Sequence, residues 1–124
     1  MTAYEENAHV VSVNANTDLS TYQHRFVKLT NASGEARLVV CGDGEDAFGV
    51  LTDKPNAAGI PGRVAVGGIV KVQAGGAFNA GVRVSSGANG KVNAVGTGDK
   101  VLGWAMKTSS GDGHIVPVLF APIG

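Results

Sequence analysis

Glycine placement is what most limits the folds open to this chain. Of its 19 glycines, 18 lie between Gly34 and Gly113, and the longest interval there without one is the nine residues from Val50 to Ala58. An average helix takes about 11 to 12 residues, and each interior glycine costs it about 1 kcal/mol relative to alanine, so no ordinary helix fits this region. Strands of about five residues separated by tight turns do fit. The spacing therefore predicts a small all-β domain, either a barrel or a sandwich. From Arg63 to Met106, short valine-rich runs alternate with these glycines and carry almost no side chain capable of chemistry, which reads as scaffold.

Within that region, Val64, Val66, Gly68, Val70, Val72 and Ala74 occupy alternate positions, with Arg63, Lys71 and Gln73 between them. Laid flat, residues 63–74 would reach about 40 Å, longer than the ~35 Å expected across a domain of this size. The strand must therefore kink at Gly67-Gly68 or reverse there in a two-residue turn, and the sequence does not choose. Further strands are expected at Ala36 to Cys41, Phe48 to Thr52, Val82 to Ser86, Lys91 to Val95, Val101 to Lys107 and His114 to Phe120. Residues 18–29 carry two patterns. Leu19, Tyr22, Phe26 and Leu29 share a helical spacing, with Asp18 as a possible cap, but alternation favours a short turn followed by a strand from His24 to Leu29. Asn89-Gly90 is a strong two-residue turn signal and would set Val84 opposite Val95; Asp112-Gly113 would set Met106 against Leu119, Trp104 against Ala121 and Leu102 against Ile123. Pro117 cannot donate to a sheet ladder, so its strand is expected at an edge or with a bulge.

A length of 124 residues fits one domain. Residues 1–16 are mostly polar, with Val11, Val13 and Ala15 as one short alternating set, and read as an extended arm or an edge strand ahead of a β-rich domain over 17–124. Ten basic residues against ten acidic leave net charge zero, which argues against nucleic acid as a partner. No apolar run approaches the ~18 residues of a membrane span. The acidic start, Met1-Thr2-Ala3-Tyr4-Glu5-Glu6, lacks the basic and apolar parts of a secretion signal, so synthesis in a cytoplasm is expected.

Chemistry-bearing residues are few and scattered. Cys41 is the single cysteine, which excludes an internal disulfide and suits a buried small hydrophobe after Val39 and Val40. His9, His24 and His114 have no metal-ligand spacing, and Asp43, Glu45 and Asp46 lack the regular oxygens and closing glutamate of a calcium loop. The serines at 85, 86, 109 and 110 flank turn glycines, and no nucleophile signature is present, so no enzyme, cofactor or metal site is expected. Trp104 is either a core residue or an anchor at a subunit contact. A small barrel binding a glycan or other ligand on a stacking platform of Trp104, Tyr22 or Phe78 is the alternative to a purely structural role.

The order of segments is more telling than any one of them. Asp18-Leu19-Ser20, Arg25-Phe26-Val27-Lys28-Leu29, Gly49-Val50-Leu51 with Lys54-Pro55, Val64-Ala65-Val66 and Ala74-Gly75-Gly76-Ala77 follow one another. Gly81, Gly87 with Asn89-Gly90-Lys91, Leu102-Gly103-Trp104-Ala105 and a strand after Asp112-Gly113 complete the series. From Asp18 to Leu119 the chain resembles the capsid cement, or head decoration, proteins of tailed bacteriophages. That resemblance implies a β-rich body made in the host cytoplasm that binds the outer surface of the expanded shell and bridges coat subunits. It also implies self-association, commonly as a homotrimer, with no nucleic acid or membrane as partner. Tyr4, His9, Val11, Val13 and Trp104 are the candidate contacts with coat protein or a neighbouring subunit.

Overall fold

The alternating run that begins near Arg63 forms the longest strand of the fold, and both halves of the molecule are hydrogen-bonded to it. The computed structural model describes residues 9–121. Its strands are β1 (His9–Asn14), β2 (Phe26–Ala32), β3 (Glu35–Val40), β4 (Gly49–Leu51), β5 (Pro61–Gln73), β6 (Ala77–Phe78), β7 (Arg83–Ser86), β8 (Val92–Ala94), β9 (Gly103–Ala105), β10 (Ser109–Ser110) and β11 (Ile115–Phe120). Among the described residues there is no α-helix. The fold is all-β, as the glycine spacing predicts.

One sheet runs in the order β3-β2-β4-β5-β11-β9-β7-β8, with β1 also paired to β5, while β6 and β10 form a separate pair. The first part of β5 is held between β1 and β4, and its last six residues pair with β11. Each half also curls back on itself. A parallel bridge joins Ala15, just after β1, to Leu38 of β3, and another joins Ala74, just after β5, to Val92 of β8. The result is two curled lobes with β5 in common.

β5 passes straight through Gly67-Gly68, so the glycine pair is a kink and not a turn. Gly68 takes φ +88°, a conformation that a side chain would resist. Pairing with β1 also skips Val66, stepping from His9–Gly67 to Val10–Ala65, so a bulge adds to the bend.

Two apolar clusters fill the lobes. The smaller contains Ala15, Leu19, Val27, Leu38, Leu51 and Val64. The larger is built around Phe26 and Phe120, whose ring centroids are 6.0 Å apart, with Val50, Ala65, Val72 and Val118 among its members. Neighbouring residues of three strands divide between them: Phe26, Val50 and Ala65 enter the larger cluster, and Val27, Leu51 and Val64 the smaller. Where β2, β4 and β5 meet, the layer is thus buried on both faces, which explains why both neighbours are apolar at Phe26-Val27, Val50-Leu51 and Val64-Ala65. Cys41 lies in the larger cluster, the place expected for a small hydrophobe.

Several registers differ from expectation. The strand foreseen from His24 starts two residues later, at Phe26, because His24 adopts φ +65° and its backbone instead bridges Leu51 and Gln73. Asp18 caps no helix; its carboxylate accepts the Ser20 N–H at 2.9 Å in a local turn. Asn89 and Gly90 do take positive φ, but a 3-10 turn widens the loop, so Val84 faces Ala94 and not Val95. Asp112-Gly113 does not close a two-residue hairpin either. Ser109 and Ser110 leave to pair with β6, and Trp104 lies opposite Leu119 instead of Ala121. The expected partner of Leu102, Ile123, is outside the described residues. Pro117 sits in an internal strand, between β5 and β9, and not at an edge. Its missing donor is tolerated because β9 pairing ends at Ala105, leaving Met106 to donate to the Pro117 carbonyl at 3.0 Å.

Candidate functional site

β11 reads Ile-Val-Pro-Val-Leu-Phe, apolar on both faces, a pattern that belongs to strands covered on both sides. Among the described residues only one face is fully covered. Val116, Val118 and Phe120 point into the larger core, whereas Ile115 is 40% exposed and Pro117 and Leu119 are half-buried. Side chains directly opposite one another in antiparallel strands share a face. Leu119 pairs with Ile69 on one side and Trp104 on the other, and Trp104 pairs with Arg83. Arg83, Trp104, Leu119 and Ile69 therefore form one row across four strands. Pro117 beside Lys71 forms a second row, and Ile115 beside Gln73 a third.

The local sequence explains why Trp104 points outward. Its neighbours Gly103 and Ala105 are small and buried against β11, and a Cβ at Gly103 would collide with the Leu119 carbonyl. Trp104 is 39% exposed, with the Arg83 guanidinium 5.3 Å from its ring centroid, a cation–π contact. No Asp or Glu occurs in β5, β7, β9 or β11. Asp112, which leads into β11, is ion-paired to Lys91 at 2.8 Å. Among the described residues the face is thus apolar at its middle, with the Arg83 guanidinium at its margin.

The other residues singled out in the sequence are dispersed. Tyr4 lies outside the described residues. His9 is exposed at the start of β1, opposite Gly67, one residue along β5 from the Gly68–Phe120 pair. Val11 and Val13 are half-buried against the smaller core, while Val10, which the alternation left aside, is 45% exposed. Within residues 1–16, read as an arm or an edge strand, the six residues His9–Asn14 are thus a strand of the chain's own sheet. Phe78 is buried in the larger core and Tyr22 packs against the smaller one beneath Arg25, so these two rings and Trp104 do not make one stacking platform.

Polar side chains near the remaining loops are engaged in holding those loops. Glu45 accepts from Lys28 at 2.7 Å and from the Gly42 N–H at 2.6 Å, which hold its carboxyl below the ordinary range. Asp99 accepts from Ser85 Oγ and the Gly96 N–H. Burial is the main cause that pushes the Cys41 thiol up to about 12, with the Glu45 carboxylate adding to it. Such a thiol is not a nucleophile at neutral pH. Among the described residues, no three His, Cys, Asp or Glu side chains stand together where a metal ion could be held.

The chain's fold is similar to that of the N base of the head fibre gp8.5 of bacteriophage phi29, with a TM-score of 0.72 over 91% of this chain and 93% of that one, at 14% sequence identity. No curated protein matches it. The sequence model of the phage cement proteins matches residues 6–120. The chain belongs to the phage cement protein family.

Proposed function

We propose that this chain is a structural cement protein on the outer surface of a phage head, where it bridges neighbouring coat subunits and stabilises the assembled shell. The observation that carries this reading is the family match across residues 6–120. The physical basis is linkage: a protein that binds the assembled lattice and not free coat subunits stabilises the lattice by its binding free energy. At a free concentration 100 times the dissociation constant, this amounts to about 2.7 kcal/mol per site. A shell offers many such sites. Rigidity helps, because two cores sharing a doubly buried sheet layer leave little conformational entropy to lose on docking.

Homotrimer formation and contacts from Tyr4 and His9 belong to the same reading. Its test is to add purified protein to expanded shells that lack it, then measure co-sedimentation and shell resistance to heat. Cryo-electron microscopy of the particles locates the added density and its local symmetry. The expected result is saturable external occupancy with a raised disruption temperature. Occupancy without stabilisation, or no occupancy, refutes the reading. Deleting residues 2–8, which leaves β1 intact, tests the amino-terminal contacts; undiminished occupancy excludes them.

A further inference from the structure

We propose that Asn89-Gly90 is a self-modification site that the native fold keeps closed: in the unfolded chain the Asn89 amide is lost through a cyclic imide, and the isoaspartate so formed cannot re-enter this loop. The inference stands apart from the cement reading and from any partner.

The chemistry is local. The deprotonated Gly90 backbone nitrogen attacks Cγ of Asn89, forming a new N–C bond while the C–N bond of the side-chain amide breaks and ammonia leaves. Water then opens the five-membered imide. Cleavage at the side-chain carbonyl gives aspartate. Cleavage at the main-chain carbonyl gives isoaspartate, whose backbone runs through Cβ and is longer by one methylene. Attack is least hindered where the following residue has no side chain, and Asn89-Gly90 is the single Asn-Gly pair among eight asparagines.

The folded loop withholds the geometry that this step needs. Ring closure requires Cβ and the Gly90 nitrogen on the same side of the Asn89 Cα–C bond. Asn89 has φ 58° and ψ 29°, which sets the two nearly opposite each other. Rotation about that bond is opposed by neighbours on both sides. The Asn89 carbonyl accepts from the Arg25 guanidinium at 3.1 Å, Gly90 N–H donates to the Gly87 carbonyl at 3.3 Å, and Gly87 N–H donates to the Lys91 carbonyl at 2.6 Å. Asn89 is exposed to water, so backbone geometry and not access is what protects it.

The same packing bars the product. Gly90 is buried, and even a single added Cβ there would stand 2.5 Å from the Phe26 carbonyl oxygen and 2.9 Å from Val40 Cγ2. An extra backbone methylene lengthens the path between Ser86 and Val92, which pair across this loop, and no space beside Gly90 takes up the excess. Aspartate keeps the backbone length and tolerates the positive φ. A chain that stays unfolded is thus marked in a way that prevents its return, whereas a folded one is spared.

The test incubates the full chain at mildly alkaline pH, in buffer and in parallel in urea above its unfolding midpoint. Trypsin, cutting after Arg83 and Lys91, releases residues 84–91, in which Asn89 is the one asparagine. Mass spectrometry reads the exchange of NH2 for OH in that peptide, and chromatography separates its aspartate and isoaspartate forms. Conversion is expected to be at least about tenfold slower in the folded protein, because only transiently opened loops react. A smaller difference overturns the proposal. Urea-aged protein is then diluted to refold, and compact and misfolded fractions are separated by size. Isoaspartate is expected in the misfolded fraction and depleted from the compact one, while Asn89→Asp, made directly, refolds like wild type. Equal isoaspartate in the two fractions refutes the barrier to return. So does an Asn89→Asp variant that fails to refold, since charge and not backbone length is then responsible.

Discussion

Replacing Gly103 with alanine should be among the most damaging single-methyl changes available in this chain. Gly103 is the first residue of β9, paired with Phe120 of β11 and Val84 of β7. An added Cβ would overlap the Leu119 carbonyl, a backbone group that cannot rotate away, and would come within 3.2 Å of the Ala121 nitrogen. Relief requires β9 and β11 to separate. That movement strains two adjacent hydrogen bonds, Leu102 N–H to Val84 O at 2.8 Å and Ala121 N–H to Leu102 O at 2.9 Å. Two such bonds at about 1 kcal/mol each, together with about 1–3 kcal/mol for overpacking, give a loss of about 3–5 kcal/mol. At a urea slope of about 2 kcal/mol per molar, the midpoint falls by roughly 2 M. Gly67 provides the contrast, since nothing lies within 4 Å of a Cβ there and its φ is not positive. Gly67→Ala should be neutral or stabilising by up to about 1 kcal/mol through the unfolded state. Equilibrium urea unfolding of the two variants decides the matter. A Gly103→Ala variant within 0.5 kcal/mol of wild type, or a Gly67→Ala variant equally destabilised, would refute the reasoning.

Two further outcomes follow from titratable groups. Burial lowers the His24 pKa from its ordinary 6.5; its Nδ1 is buried without a hydrogen-bond partner, and Lys71 and Lys54 also disfavour a charged ring. The unfolded chain therefore takes up a proton near pH 6.5 that the native state resists, so this contribution to stability is intact above that pH and declines as pH falls below it. Asparagine tolerates the positive φ of this position, so His24→Asn should fold and flatten the stability profile below pH 6.5; an unchanged slope in denaturant titrations below that pH would count against the assignment. Native Cys41 should resist alkylation at pH 8 and react once the chain is unfolded in urea, because burial holds its thiol near 12; rapid labelling with the circular dichroism intact would contradict its placement in the core.

Much of the fold was legible because glycine and valine act locally. Strand length alone requires a kink or a reversal at Gly67-Gly68, between which the continuous β5 decides, and the existence of nearly every strand follows from alternation. Registers were less legible. A two-residue turn at Asn89-Gly90 or Asp112-Gly113 is the locally favoured geometry, but long-range pairing decides otherwise. Gly87 donates to the Lys91 carbonyl at 2.6 Å, which fixes a wider loop, and Ser109-Ser110 is drawn to Ala77-Phe78. The division of Val64 from Ala65 between two cores was equally out of reach, since periodicity shows which residues share a face but not how many cores the faces enclose. At the candidate site, Trp104 was found from residue type. Leu119, Ile69 and Arg83 were missed because three strands distant in sequence bring them into one row.

The missed residues nonetheless had a signal in β11. A half-exposed antiparallel strand normally alternates apolar and polar side chains, and every position from Ile115 to Phe120 is apolar. Adjacent apolar residues in β4 are accounted for inside the molecule, where Val50 enters the larger core and Leu51 the smaller. In β11 no described residue repairs it: the inward residues are packed in the larger core, while Ile115 is 40% exposed and Pro117 and Leu119 stay half-buried beside Trp104 and Arg83. Departures from local pattern in a well-packed protein tend to mark function, and a family defined by attachment to a much larger shell supplies a reason for this one. A strand patterned for double burial, whose outer face the described residues leave partly open, is one where a second covering layer would remove further apolar surface from water.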